Sequence, residues 1–172
     1  SSCSPDFGTQ GVIDRFKQIE PKVLITSDCY FYNGKKINIL EKVDDILNKI
    51  PSVKKVIVFP YNQNERVATK DFIDFEDALS VSNFDETFER FEFNHPIYIL
   101  YSSGTTGKPK CIVHGTGNVL IEHNKEFMLH CDIGNDEKIF YYTTTGWMMW
   151  NWLIGGMATG SSIFLFDGAP TY

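Results

Sequence analysis

The sequence predicts an α/β fold, a mostly parallel sheet flanked by helices, on three observations. Short apolar runs rich in β-branched residues alternate with segments of helical periodicity. The links between them are short, which favours helices packed on a sheet. A loop dense in Gly, Ser and Thr directly follows one apolar strand, and in such sheets ligands gather at the carboxyl ends of strands.

Residues 23–26 are a short apolar run behind Pro21, with Asn33, Gly34, Lys35 and Lys36 as the polar turn leaving that strand. Over 39–50, Ile39, Val43, Ile46, Leu47 and Ile50 recur at three and four, a helix that Pro51 stops. Residues 53–59 form a β-branched strand ended by Pro60, and 73–79 a short helix. An acidic, aromatic loop over 80–94 follows, whose Phe84, Phe88, Phe91 and Phe93 are expected to pack. Strands at 97–101 and 111–114 bracket the Gly/Ser/Thr loop. Residues 118–129 read as a weakly amphipathic helix with Leu120, His123 or Asn124, Phe127 and Cys131 on one side. A strand at 138–142, the start of a buried helix over 150–158 and a strand at 162–166 complete the order.

The 172 residues are one domain's worth of chain, with apolar residues enough for a core. Sixteen Lys and Arg against 22 Asp and Glu leave a net charge of −6, which argues against a nucleic-acid or anionic-membrane surface. The most apolar stretch, 147–166, is interrupted by Gly155, Gly156, Gly160 and two serines, too broken for a membrane span. Neither a basic segment nor an apolar leader opens the chain. Cys3, Cys29, Cys111 and Cys131 lack the short paired spacing of a zinc site, so no metal ligand set is expected and a reducing, cytoplasmic setting is.

The loop at 102–110 carries the most chemistry. The hydroxyls of Ser102, Ser103, Thr105 and Thr106 add donors to backbone N–H groups that Gly104 and Gly107 allow to converge on one anion. Lys108 and Lys110 add mobile positive charge, and Pro109 stiffens the chain between them. A solvated turn and a phosphate cradle both suit this composition; the place behind a buried strand favours the cradle. The spacing is not the G-x-x-x-x-G-K-[ST] of a Walker A loop, because Pro109 stands where Ser or Thr is needed. No Ser/His/Asp set or carboxylate pair stands at readable spacing. His123 and His130 share a helical face as packing or solvent-facing groups, and His114 either meets a phosphate or satisfies nearby backbone. Trp147, Trp150 and Trp152 read equally as core aromatics, and Met148 and Met149 as gap-fillers.

The run YSSGTTGKPK at 101–110 resembles the phosphate-loop signature of the adenylate-forming enzymes, the acyl-CoA synthetase and luciferase superfamily. Within it, SSCSPDFG at 1–8, DRFKQIEPK at 14–22 and TTGWMMWNW at 144–152 are similar to the acetoacetyl-CoA synthetases, so the likeness covers nearly the whole chain. The resemblance implies an acid–thiol ligase that activates acetoacetate with ATP to an acyl-adenylate and pyrophosphate, then passes the acyl group to CoA. Acetyl-CoA or another short-chain acyl-CoA synthesis, and a non-catalytic nucleotide-binding or interaction module, stand as alternatives. It further implies that Ser102, Ser103, Gly104, Thr105, Thr106, Gly107, Lys108 and Lys110 grip the β- and γ-phosphates, with Lys110 catalytic. The acyl-pocket motif falls on Gly146 and Trp147, followed by Met148, Met149 and Trp150, where related acetyl-CoA synthetases tend to carry Val-Thr-Gly after the Trp. Many relatives have an acidic residue where Thr144 stands. The remaining family motifs, including the Mg2+ ligands, are expected outside the chain. Residues 1–172 are accordingly expected to be an internal part of the large adenylation domain, inactive alone and prone to self-association through uncovered sheet edges.

Overall fold

Parallel pairing dominates the computed structural model, which describes residues 1–61, 72–80, 87–102 and 107–168. Among the described residues, three of the five strand pairings are parallel. The chain divides into two units, Pro5–Phe88, and Ser1–Ser4 with Glu89–Pro170.

The Pro5–Phe88 unit opens with α1 (Thr9–Phe16), whose buried stripe is only Ile13 and Phe16, too few apolar positions to register as a period. Strand β1 (Val23–Ser27) is followed by an antiparallel hairpin, β2 (Cys29–Tyr32) and β3 (Lys35–Asn38). The expected polar exit is therefore a two-residue hairpin turn. Asn33 and Gly34 have φ of 48° and 70°, as a type I′ turn requires. Helix α2 (Leu40–Lys49) turns Val43 and Ile46 inward. Strands β4 (Lys55–Phe59) and β5 (Phe72–Asp74) complete a parallel sheet of order β1-β4-β5, with Val23 opposite Lys55 and Val56 opposite Phe72.

Helix α3 (Phe75–Leu79) begins where the Asp74 carboxylate accepts from the Glu76 amide at 2.9 Å. The expected helix over 73–79 is thus a strand end, a cap and a five-residue helix, because Asp74 takes the capping position. Alternation along β4 sends Val56 and Val58 to one face, where they pack with Val43 and Phe72 and with the partly buried Leu24, Leu40, Leu47 and Val53. The other face is open: Val23, Ile25 and Phe59 are exposed, Ile25 by 63%.

In the second unit, β6 (Pro96–Tyr101) and β7 (Cys111–Gly115) form an antiparallel hairpin with Tyr101 opposite Cys111. Helix α4 (Thr116–Lys125) continues into a π-helical turn at Glu126–His130, closed by the Cys131 amide on the Glu126 carbonyl at 2.9 Å. The wider turn resets the helical register. Phe127 is fully buried while Leu120 and Cys131 face solvent, which corrects the single apolar side expected there.

Strand β8 (Lys138–Ile139) pairs in parallel with β9 (Ser162–Ile163), and between them lie α5 (Met148–Gly155) and a 3-10 turn at Gly156–Thr159. Both strands are shorter than the expected 138–142 and 162–166; beyond them Phe140, Tyr142, Phe164 and Phe166 contact one another edge-on and stay exposed. Helix α5 starts two residues before the expected position and buries Leu153, which packs with Phe127 and Ile139. Gly156 permits that closeness, since a Cβ there would stand 2.4 Å from Ile139 Cδ1.

The aromatic loop before β6 does not pack as expected throughout. Phe88 is 92% exposed, while Phe91 stacks on His95 at 4.0 Å and the Phe93 ring fills the space beside Gly117. Phe84 lies outside the described residues. No helix among them is long and apolar enough to cross a membrane.

Candidate functional site

The β6–β7 hairpin delivers both ends of the Gly/Ser/Thr loop to one point. At its neck the Ser102 amide donates to the Lys110 carbonyl at 3.0 Å, and the Lys110 amide donates to Ser102 Oγ at 3.3 Å. A hydroxyl that accepts in this way keeps its own proton for an outside acceptor. Gly107 has φ of 103°, which L side chains rarely adopt, and among the described residues, its chain neighbours aside, no heavy atom lies within 4 Å of where its Cβ would be. Conformation, rather than space, demands glycine there. Lys108 and Lys110 are exposed on either side of the half-buried Pro109. Ser103, Gly104, Thr105 and Thr106 lie outside the described residues.

Further down the hairpin, Tyr98 stands opposite His114, with ring centroids 5.0 Å apart. Burial pushes the Tyr98 phenol above its ordinary range, so it remains a protonated donor. Here the structure sets His114 against a ring. Across from this pair, α4 brings His123, whose imidazole burial holds below its usual value; Glu122 opposes that shift and His114 adds to it. The ring of His123 lies against α5, where a Cβ on Gly155 would come 2.1 Å from Nδ1. A cleft of about 560 Å³ lies among these groups, lined by Tyr98, Val113, His114, Asn118, His123 and Met148. It brings the phosphate-loop stem and the first residue of α5 to one concavity. His130, on the π-turn, is exposed and does not line it.

The acyl-motif residues form a turn into α5. Trp147 is the N-cap in an extended conformation; its amide donates to the Thr144 carbonyl at 3.1 Å, and the Trp150 amide donates to the Trp147 carbonyl at 3.1 Å. Trp147 and Met148 are more than half exposed and Met149 is half-buried. Trp150 and Trp152 pack on the Phe127 cluster, with Trp152 4.4 Å from the Phe127 ring.

One partner of this turn lies in the 1–8 run, whose contact with 145 and 146 no sequence spacing announces. The Ser2 hydroxyl donates to the Thr145 carbonyl, and a Cβ on Gly146 would stand 2.8 Å from the Ser4 amide nitrogen. Tyr98 and His123 in the cleft are likewise unmarked by motif, since only the fold brings a strand and a helix face together.

The whole chain, residues 1–172, matches the family described as AMP-binding enzyme. It is 47% identical to acetoacetyl-CoA synthetase of Gallus gallus, over 99% of this chain and 27% of that protein. Acetoacetyl-coenzyme A synthetase of Rhizobium meliloti is 46% identical over 99% of this chain and 26% of its own length. The structure of acetoacetyl-CoA synthetase from Streptomyces lividans superposes with a TM-score of 0.92 at 45% identity, covering 99% of this chain and 26% of that one. The α/β fold is shared with that enzyme, and the chain spans about a quarter of the length of the curated relatives it matches.

Proposed function

The chain belongs to the family of AMP-binding enzymes, and on that premise we propose that it is the part of an acetoacetate–CoA ligase that grips ATP and forms a wall of the acid pocket. In the first half-reaction the acetoacetate carboxylate attacks the α-phosphorus of ATP and pyrophosphate leaves. In the second, the CoA thiolate attacks the acyl carbonyl and AMP leaves. The neck at Ser102 and Lys110 carries the reading, because it presents a hydroxyl-rich loop and two exposed lysines at one strand end.

Ser102, Ser103, Thr105 and Thr106, with the backbone at Gly104 and Gly107, donate to the β- and γ-phosphates. Lys108 neutralises charge on the bound nucleotide, and Lys110 acts on the charge that develops as pyrophosphate departs. Gly146, Trp147, Met148, Met149 and Trp150 shape the acid pocket, with Trp147 and Met148 presenting the contact surface. Mg2+ accompanies the nucleotide phosphates. Such an ion is held mainly by the phosphates and water with one or two carboxylates, and no step is assigned to it. Cysteine spacing without paired motifs suits a cytoplasmic enzyme.

A coupled assay on the full-length protein tests the reading: pyrophosphate release should depend on acetoacetate and exceed that with acetate or butyrate. Release independent of acetoacetate, or a preference for acetate, overturns it. The 172 residues alone are proposed to give no such turnover, since positioning groups come from elsewhere in the ligase. Alone they are also proposed to pair through the open face and edge of the β1-β4-β5 sheet, where Val23, Ile25 and Phe59 are exposed. Light scattering should then report a dimer; a monomer at the highest attainable concentration counts against pairing.

A further inference from the structure

We propose that Ser1–Ser4 is a positioning strap that fixes the turn before α5 and thereby the direction of Trp147 and Met148. This inference rests on the reading of those two side chains as acid-pocket wall.

Two contacts support it, made 143 residues apart in sequence. The Ser2 hydroxyl donates to the Thr145 carbonyl. The backbone of Cys3 and Ser4 then runs against Gly146, where a Cβ would stand 2.8 Å from the Ser4 amide nitrogen and 3.3 Å from Cys3 Cα. The first distance is shorter than real Cβ contacts, and its partner is backbone, which cannot rotate aside as a flexible side chain can. Ser4 is buried at this crossing. Glycine at 146 therefore admits the strap, a different reason from making room for substrate.

The residues downstream depend on that placement. The Trp147 amide is tied to the Thr144 carbonyl, so the strapped turn sets the backbone from which α5 departs. Trp147 and Met148 are 58% and 53% exposed, so side-chain packing fixes them little and backbone direction fixes them more. The phosphate loop has its own closure, the hydrogen bonds between Ser102 and Lys110 at its neck. Ser2 and the strap backbone are thus positioning groups for the acid and not for ATP.

The experiment compares Ser2→Ala, Ser2→Thr and Gly146→Ala in the full-length enzyme, reading KM for acetoacetate, KM for ATP and kcat separately. Losing one hydrogen bond or displacing the strap should raise KM for acetoacetate about tenfold and leave KM for ATP within about twofold. Ser2→Thr, which keeps the hydroxyl, should restore the wild-type value. Equal movement of both KM values, no movement of either, or failure of Ser2→Thr to rescue overturns the strap. Should Gly146→Ala not fold, the Ser2 pair decides alone. A wild type that ignores acetoacetate sinks the substrate reading separately, and the same split is then read on the acid it does turn over.

Discussion

The two halves of the candidate site are held in opposite ways. The candidate phosphate loop is closed by hydrogen bonds between Ser102 and Lys110, eight residues apart, at the end of a hairpin. The turn before α5 is held by Ser2, 143 residues from Thr145. For a flexible chain, closing the longer loop costs roughly 2.5 kcal/mol more than closing the shorter. One hydrogen bond contributes about 1 kcal/mol net and does not offset that difference. The strap is therefore secured by the backbone contact at Gly146 as well as by that hydrogen bond. The loop is a local device, and the acid-side turn is a product of the assembled chain.

The sharpest way to separate the halves is Lys110→Ala in the full-length enzyme. If Lys110 has the proposed role, removing its charge should lower kcat/KM for ATP by roughly 100-fold, with KM for acetoacetate far less affected. Initial rates with each substrate varied in turn check this; a matching rise in the acid's KM would mean the two halves are not independent.

A smaller effect concerns His123, which packs α4 against α5 beside the acid-side turn. Its folded pKa is depressed by burial, so as pH falls the unfolded chain takes up the proton first. The stability is present above the ordinary histidine value of about 6.5 and is lost as pH falls from there through the lower folded value. Thermal unfolding between pH 8 and pH 5 should show a shallower decline for His123→Gln than for wild type. Parallel curves would mean His123 does not report on that packing.

This contrast also explains what could be read from the sequence. The β1, β4, β6 and β7 strands and α2 were legible because β-branched runs and three-and-four spacing are local signals. The loop motif was legible for the same reason. The Asn33–Gly34 hairpin carried a local signal too, yet the strands beside it have only four residues each and β3 is polar enough to resemble an exit turn. The π-turn after α4 has no periodic signature, since one extra residue in the turn breaks the spacing that would announce the helix. The strap, the Tyr98 and His123 side of the cleft, and the brevity of β8 and β9 arise only from distant contacts. Trp150 shows the ambiguity inside one motif: the resemblance put it with the pocket residues, the residues alone read also as core aromatics, and the fold packs it on the Phe127 cluster.

The strap has a consequence for how the protein is made. Ser2 is among the first of these residues to be synthesised, and Thr145 follows 143 positions later. At typical ribosomal rates that interval lasts about 7–30 s. During it the Pro5–Phe88 unit has its own core to close, while the Ser2 hydroxyl still waits for the Thr145 carbonyl. The bond from Ser2 to the turn before α5 is thus made only after the whole Pro5–Phe88 unit has been synthesised.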